Sequence, residues 1–387
     1  MIKMLTASTR EVDDAEVAVR ELLRQLDLEH SSMKRSVGML VCTLEFMQSG
    51  VAAAVCRAMP FEVAGCNTTL GGVYGAEEAP MLCLAVLTSD EAEFSVALSE
   101  SLLGNQQESY DRLFAEAGDK LTQEPKLALA FLPILPNTDD RVMCNLLFRA
   151  AGGLPVFGTL AFDFLDAPRM PLTLHGGTCY ADRAVLLLIA GPITPRFERA
   201  GIPPESVKKQ KAVITRAQEN MIMEINGVPA VRFMQSLGIY FTPEAGVTAL
   251  NVNPLMIDRG DGSEPESRPV NSVTKEGYLV CAGLVPQGSM LGVSILETSS
   301  VERTCRGLCQ TLAGMDGVHA ALLFSCASRQ FLLAWDEMAE INAVGDVFGP
   351  GLPYLFGYSG GEVCPVEAEG GGTENRFFNN TLIACVF

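Results

Sequence analysis

The chain is short of charge, of basic residues and of histidine, and each shortage closes off a class of function. Charged residues make up 19% of the 387, and Asp and Glu outnumber Lys and Arg 46 to 28, a formal −18 at pH 7. Nucleic acids and anionic membranes are held mainly by clustered Lys and Arg, so neither is an expected partner. The one dense basic run, Lys208-Lys209-Gln210-Lys211, reads as a solvated turn ahead of a strand. His30, His175 and His319 are the only histidines, which leaves little material for metal or acid–base chemistry. Cys305 and Cys309 share a helix face without a second Cys or His pair nearby in sequence, so core packing is their expected role and no metal is expected.

Long apolar runs are missing too. Ala184 to Ala190 is of strand length and stops at Gly191-Pro192, well below the roughly 18–20 residues of a membrane span. Met1 to Thr9 runs into acidic sequence without the apolar core of a signal peptide. The twelve cysteines are therefore expected as reduced thiols of a cytoplasmic protein, most of them buried in apolar runs, as at Cys42, Cys83, Cys281 and Cys385. Neither G-x-x-x-x-G-K-S/T nor G-x-G-x-x-G occurs, so a nucleotide has no recognisable phosphate cradle. Gly357-Tyr358-Ser359-Gly360-Gly361 matches the G-x-S-x-G nucleophile elbow, which needs a helix after the serine and a later histidine. Gly-rich sequence follows instead, and all three histidines precede Ser359, which argues against a hydrolase of that type.

What is present is apolar sequence, 48% of the chain, in short runs punctuated by Gly and Pro. The length favours two domains or two halves of one repeated architecture. One pattern occurs three times: an apolar strand, a helix-compatible stretch, a proline, a second short strand and a glycine. The copies run Val37–Thr43 to Pro60–Cys66, Leu127–Leu132 to Gly153–Thr159, and Ala320–Cys326 to Gly351–Tyr358. Each reads as strand, crossover helix and parallel strand, with the glycine permitting a turn at positive φ. Asp13 to Leu26 and Val301 to Ala313 read as further helices. Lys211 to Ala230 reads as two antiparallel strands around a polar turn, followed by a second turn at Asn226-Gly227, and Asp258 to Pro269 as a polar surface loop. The expected fold is α/β, with mixed sheets built from repeated strand–helix–strand units in two related halves. The division falls near 226–235, giving modules 1–229 and 230–387.

In order along nearly the whole chain, several motifs resemble the FIST family (F-box and intracellular signal transduction). They are Thr6-Ala7-Ser8, Pro60 to Thr69, Val213 to Asn220 with Asn226 to Ala230, Leu323 to Arg329, Gly357 to Val363, and Phe377 to Thr381. The resemblance implies tandem N-terminal and C-terminal FIST modules acting as a sensor of small molecules such as amino acids. It further implies output through a separate signalling protein such as a histidine kinase, a cyclase or a chemoreceptor. Some family members bind haem and sense nitric oxide. Here Phe378 stands where the closing motif has a histidine, and Gly72 where an acidic residue is usual. No cofactor is expected, with haem on His319 or His175 as the alternative.

The polar residues at the C-terminal ends of the repeat strands are the candidate ligand-binding set, because ligands of parallel α/β sheets sit beyond those ends. They are Cys66, Asn67, Thr68 and Thr69 in the first copy, Thr159 in the second, and Ser325, Cys326, Arg329, Tyr358, Ser359 and Glu362 in the third. A guanidinium at Arg329 and a carboxylate at Glu362 suit the carboxylate and ammonium of an amino acid. The Gly65 to Gly72 turn, rich in glycine and hydroxyls, is expected to be flexible and to close over the ligand. The protein is expected not to be an enzyme; the enzymatic alternative uses Cys66 or Cys326 as nucleophile.

Overall fold

The computed structural model describes residues 2–75, 81–135, 140–163, 170–240, 253–260, 262, 265–294, 297–333, 336–367 and 372–387. Three of its four sheets repeat one strand order. The first runs Lys3–Thr9, Leu82–Ser89, Arg35–Cys42, Val63–Asn67 and Thr173–His175, with Thr178–Tyr180 beyond. The second runs Glu93–Leu98, Val185–Ala190, Pro125–Leu132, Val156–Leu160 and Glu362–Glu367, with Thr373–Phe378 beyond. The third runs Arg196–Ala200, Leu382–Val386, Ala321–Cys326, Tyr354–Ser359 and Gly71–Gly72. In each the central pair is parallel, with Leu40 opposite Gly65, Ala130 opposite Gly158 and Phe324 opposite Gly357, and the neighbours are antiparallel.

The repeat is thus real, and it is cyclic. After its second parallel strand each unit lends its next strand to another unit's sheet. The first lends Gly71–Gly72 to the third sheet, the second lends Thr173–His175 to the first, and the third lends Glu362–Glu367 to the second. The two halves are related through this unit: residues 1–229 hold two copies and begin a third that 230–387 completes.

The inner faces of the three sheets meet in one apolar core of Val41, Cys66, Leu129, Phe131, Phe157, Leu322, Phe324 and Ile383 among others. Phe324 stacks on Phe157 at 5.5 Å between ring centroids and meets Phe131 edge-on at 6.4 Å. The outer faces carry the helices. Ala15–Leu26 and Val51–Ala58 cover the first sheet, Gln106–Asp119 and Asp140–Ala151 the second, Thr298–Ala313 and Ala339–Phe348 the third. Strands covered on both faces read as unbroken apolar runs, and Leu82–Ser89 is buried at every position. Asp14 caps the first helix by accepting from the Glu16 and Val17 amides. Among the described residues no helix is long and apolar enough to cross a membrane.

Several local expectations need correction. Gly65, Gly158 and Gly357 do not adopt positive φ. A Cβ on Gly65 would sit 2.0 Å from the Leu40 carbonyl oxygen and one on Gly158 2.2 Å from that of Ala130, so in two copies the glycine is required by close strand approach. Gly357 has ordinary room, its nearest neighbour being Val41 Cγ1 at 3.5 Å. Lys208 to Lys211 lie within the Val207–Gln218 strand rather than in a turn.

That strand belongs to the fourth sheet, inserted in the third unit between its edge strand Arg196–Ala200 and its helix Thr298–Ala313. Its other strands are Glu266–Arg268, Leu255–Asp258, Met290–Ser294, Met221–Ile225, Leu279–Cys281 and Val270–Val273, with Val228–Pro229 paired to Met221–Ile225. Asn226 and Gly227, at φ 51 and 74, make the expected tight turn. The expected surface loop at 258–269 instead holds the Glu266–Arg268 strand, with Ser267 and Arg268 buried. Ser267 Oγ donates to Asn380 Oδ1 at 2.6 Å, and Asn379 Nδ2 donates to the Ala282 carbonyl at 3.0 Å, tying this sheet to the chain just before Leu382–Val386.

Candidate functional site

Beyond Ala321–Cys326 the chain turns into a short helix, Ala327–Leu333, that sequence reasoning read only as strand-end positions. It carries Arg329 back under the third sheet. The Arg329 guanidinium donates to Glu340 Oε1 from Nε at 3.2 Å and from Nη2 at 2.8 Å, and Nη2 also reaches the Val301 carbonyl and Thr304 Oγ1, both at 3.1 Å. Ser325 Oγ donates to Glu340 Oε2 at 2.8 Å. Both ends of the ion pair are sealed, the Arg329 side chain 4% exposed and that of Glu340 0%. The fork expected to hold a ligand carboxylate is therefore engaged by the protein's own Glu340. That residue was passed over, although a carboxylate on the buried face of an apolar helix was a signal that a buried cation faced it. The Tyr358 hydroxyl beside it has no partner of good hydrogen-bond geometry among the described residues, and burial, reinforced by the Glu340 charge, pushes its pKa well up.

A second chain of polar groups starts at Cys326. Ser328 Oγ donates to Cys326 Sγ at 3.1 Å, Asn380 Nδ2 to Ser328 Oγ at 2.5 Å, and Asn380 Oδ1 accepts from Ser267 as above. Asn380 is buried with φ 56, a left-handed conformation that asparagine tolerates. Burial, with the nearby Glu362 charge, pushes the Cys326 thiol up to about 12. Glu362 is fully buried, and neither carboxyl oxygen has a partner of good hydrogen-bond geometry among the described residues. Burial holds it well above the usual carboxylate range against the opposing pull of Cys326, the Thr381 amide and Arg329. Thr159 is its cross-strand partner, and Ser359 Oγ is turned to the Gly361 carbonyl at 2.5 Å. A strand follows Ser359, so no nucleophile elbow forms.

The first copy's residues serve the strand exchange. Asn67 donates from Nδ2 to the Phe162 carbonyl at 2.7 Å and accepts the Leu172 amide at 2.6 Å. Thr68 Oγ1 donates to the Tyr358 carbonyl at 2.6 Å, and Thr69 Oγ1 bonds Gln330 Oε1. Cys66 faces the central core, where burial raises its thiol. The turn expected to be an open flap is buried from Gly65 to Val73 except at Thr69, which is half-buried.

An open site lies elsewhere. A cleft of about 810 Å³ runs between the fourth sheet and the edges of the second and third, walled by Met256, Met290 and Leu291 on one side and Ile202, Pro204 and Phe378 on the other. Glu198, Arg199, Asp258, Glu266 and Arg376 supply its charge, and Ser267 and Thr381 reach it. Arg199 lies over the Phe378 ring at 5.1 Å, and burial lowers its pKa. A recess of about 120 Å³ adjoins it at Glu266 and Arg376 and is lined besides by Arg141, Asn145, Arg259, Glu374, Asn375 and Phe377.

Glu266 organises the recess. Its Oε2 accepts from Arg141 Nη1 at 3.3 Å, from Arg259 Nη2 at 2.9 Å and from Arg268 Nη2. Burial pushes its carboxyl up, but Arg268, Arg141 and Arg259 outweigh burial and hold it below its ordinary value. Arg268 is wholly buried, and burial brings its pKa down to about 10. Arg259 Nε is buried in this recess and finds no acceptor among the described residues.

None of the eleven residues singled out from sequence lines the cleft, and none of the three histidines does. Ser267 and Asn380 connect the cleft wall to Ser328 and Cys326. Among the described residues no three His, Cys, Asp or Glu side chains converge as a metal site.

Two cyanuric acid hydrolase structures are similar in overall course. One is described as evolutionary innovation by structural concatenation, with 9% identity, covering 100% of this chain and 98% of that one at TM-score 0.35. The other, from A. caulinodans, has 11% identity, with 100% and 99% covered, also at 0.35. A likeness this distant says nothing of this chain's activity. No curated protein matches the sequence. The family model described as the FIST N domain matches residues 36–228, and that described as the FIST C domain matches 237–365. FIST domains are sensory domains of signal transduction, and this chain, carrying both in tandem, belongs to the FIST family.

Proposed function

We propose that this protein is a non-enzymatic intracellular sensor that binds a small polar ligand, amino acids included, in the cleft beside the fourth sheet. It relays occupancy to a separate signalling protein such as a histidine kinase, a cyclase or a chemoreceptor. The cleft carries this reading: about 810 Å³ is within the range of small-molecule sites, with apolar walls and convergent charged groups. Its wall continues through Ser267, Asn380 and Ser328 into the third unit, so a ligand that favours one arrangement of that chain shifts the population of the whole. The non-enzymatic part is supported by the thiols, since Cys66 and Cys326 are buried with raised pKa and thiolate is the reactive form. Native mass spectrometry of freshly purified protein, followed by calorimetry with the ligand it identifies, tests the reading. Met256→Trp, which fills the cleft, is expected to abolish binding without loss of fold. Undiminished binding by that variant places the ligand elsewhere.

A further inference from the structure

The recess at one end of the cleft has a chemistry of its own. Of four guanidiniums gathered here, Arg141, Arg259 and Arg376 line it and Arg268 is buried behind Glu266, against the carboxylates of Glu266 and Glu374, in a chain whose formal charge is −18. Three of the four converge on a single oxygen of Glu266. Arg259 Nε, buried on the recess, is a donor with no acceptor among the described residues, and such a donor in a native structure calls for one. Next to these groups the cleft turns apolar at Met256, Met290, Leu291 and Phe378.

We infer that the ligand of this cleft is an organic anion, an apolar body ending in a carboxylate or a phosphate monoester, with its anionic head in the recess against Arg259 and Arg141. The body lies along the methionines and Phe378, where burial of apolar surface supplies affinity and the arginines supply selection. Glu198 and Asp258 stand farther along the cleft and disfavour a second negative group there. The inference rests on the cleft being the ligand site and adds the class of ligand.

Calorimetry with four probes of one shape tests it: 3-phenylpropionate, phenyl phosphate, phenylalanine and the neutral 3-phenylpropan-1-ol. The two anions are expected to bind at least about tenfold more tightly than the alcohol, as suits a charge-assisted contact. Their relative affinities identify the head group. Arg259→Gln is expected to weaken the preferred anion by about tenfold or more and to leave the alcohol unchanged, with a thermal melt confirming the fold. Equal binding of alcohol and anions, tightest binding of zwitterionic phenylalanine, or an Arg259→Gln variant that binds the anions normally overturns the inference. If Met256→Trp then abolishes binding of the alcohol or of phenylalanine, the cleft stands as the ligand site and only the anionic class falls. Absence of binding by every probe also overturns the inference, whereas the cleft itself is judged by the separately identified ligand.

Discussion

Arginine meets carboxylate at two places in this molecule, and the two are built to opposite ends. Under the third sheet Arg329 and Glu340 pair one to one, both buried, with Ser325, Thr304 and the Val301 carbonyl completing their hydrogen bonds. At the recess three arginines share one oxygen of Glu266, and Arg141 and Arg259 keep 13% and 24% of their side-chain surface exposed. A buried one-to-one pair sealed from solvent is closed to a ligand and fixes a helix in place. A partly open cluster, with Arg259 Nε lacking an acceptor among the described residues, holds positive potential ready for an anion. Sequence reasoning chose the first because Arg329 follows a repeat strand, but position along a strand does not reveal whether a guanidinium is already engaged.

The comparison is broken most directly by cutting the sealed pair. Glu340→Leu leaves the Arg329 charge buried and uncompensated and is expected to cost about 3–5 kcal/mol in urea denaturation, with Arg329→Met in the same chain restoring much of it. A loss below about 1 kcal/mol would mean water reaches the pair and that the site is open.

A smaller effect separates the carboxylates by pH. Glu266 has a lowered folded-state pKa, so its stabilisation is full above the unfolded value near pH 4 and is lost as pH falls through the folded one. Glu266→Gln is therefore expected to lower stability by about 2 kcal/mol at neutral pH and to converge with the parent in acid. Glu362 has a raised folded-state pKa, so folding binds a proton that the unfolded chain releases, and stability falls as pH rises from about 4 towards the folded value. Glu362→Gln is expected to gain on the parent as pH rises over that window. Parallel stability curves for parent and variants would place both carboxyls in ordinary solvent.

The smallest effect needs no mutation. Eleven cysteines are buried, including Cys305 beside Glu340 and Cys326 beside Glu362, whereas Cys179 is half-buried. Brief alkylation with iodoacetamide is expected to mark Cys179 first, with Cys66, Cys305 and Cys326 reacting only on unfolding. Early labelling of Cys326 would show that the strand ends open to solvent and would return that cluster to the binding site.

The three repeat units were legible because strands covered on both faces must be apolar throughout, as Arg35–Cys42, Pro125–Leu132 and Ala321–Cys326 largely are. Gln106–Asp119 went unread although Tyr110, Leu113 and Ala117 form a stripe behind an Asn105 cap, because its polar composition hid the period. The cleft was illegible for a different reason. Arg141, Arg199, Arg259 and Arg376 come from distant segments, and only the fold brings them to one place. The fourth sheet itself was read in part, from the antiparallel strands and the Asn226-Gly227 turn within 211–230, while Ser267 and Arg268 were hidden in a run that reads as loop.

The cyclic loan of strands sets terms for how the chain acquires its shape. Gly71–Gly72 has no sheet to join until Tyr354–Ser359 exists, and the hydrogen bond from Thr68 to Tyr358 spans 290 residues. During synthesis the first unit can form its own parallel pair early, yet its neighbour Thr173–His175 comes from the second unit, whose sheet waits in turn for Glu362–Glu367. No unit closes alone, so maturation is a late, collective event dominated by non-local pairing, which makes for slow folding and a long exposure of unpaired strand edges. The same ring that leaves no unit independent in the finished protein therefore defines the interval in which the nascent chain most needs protection from aggregation.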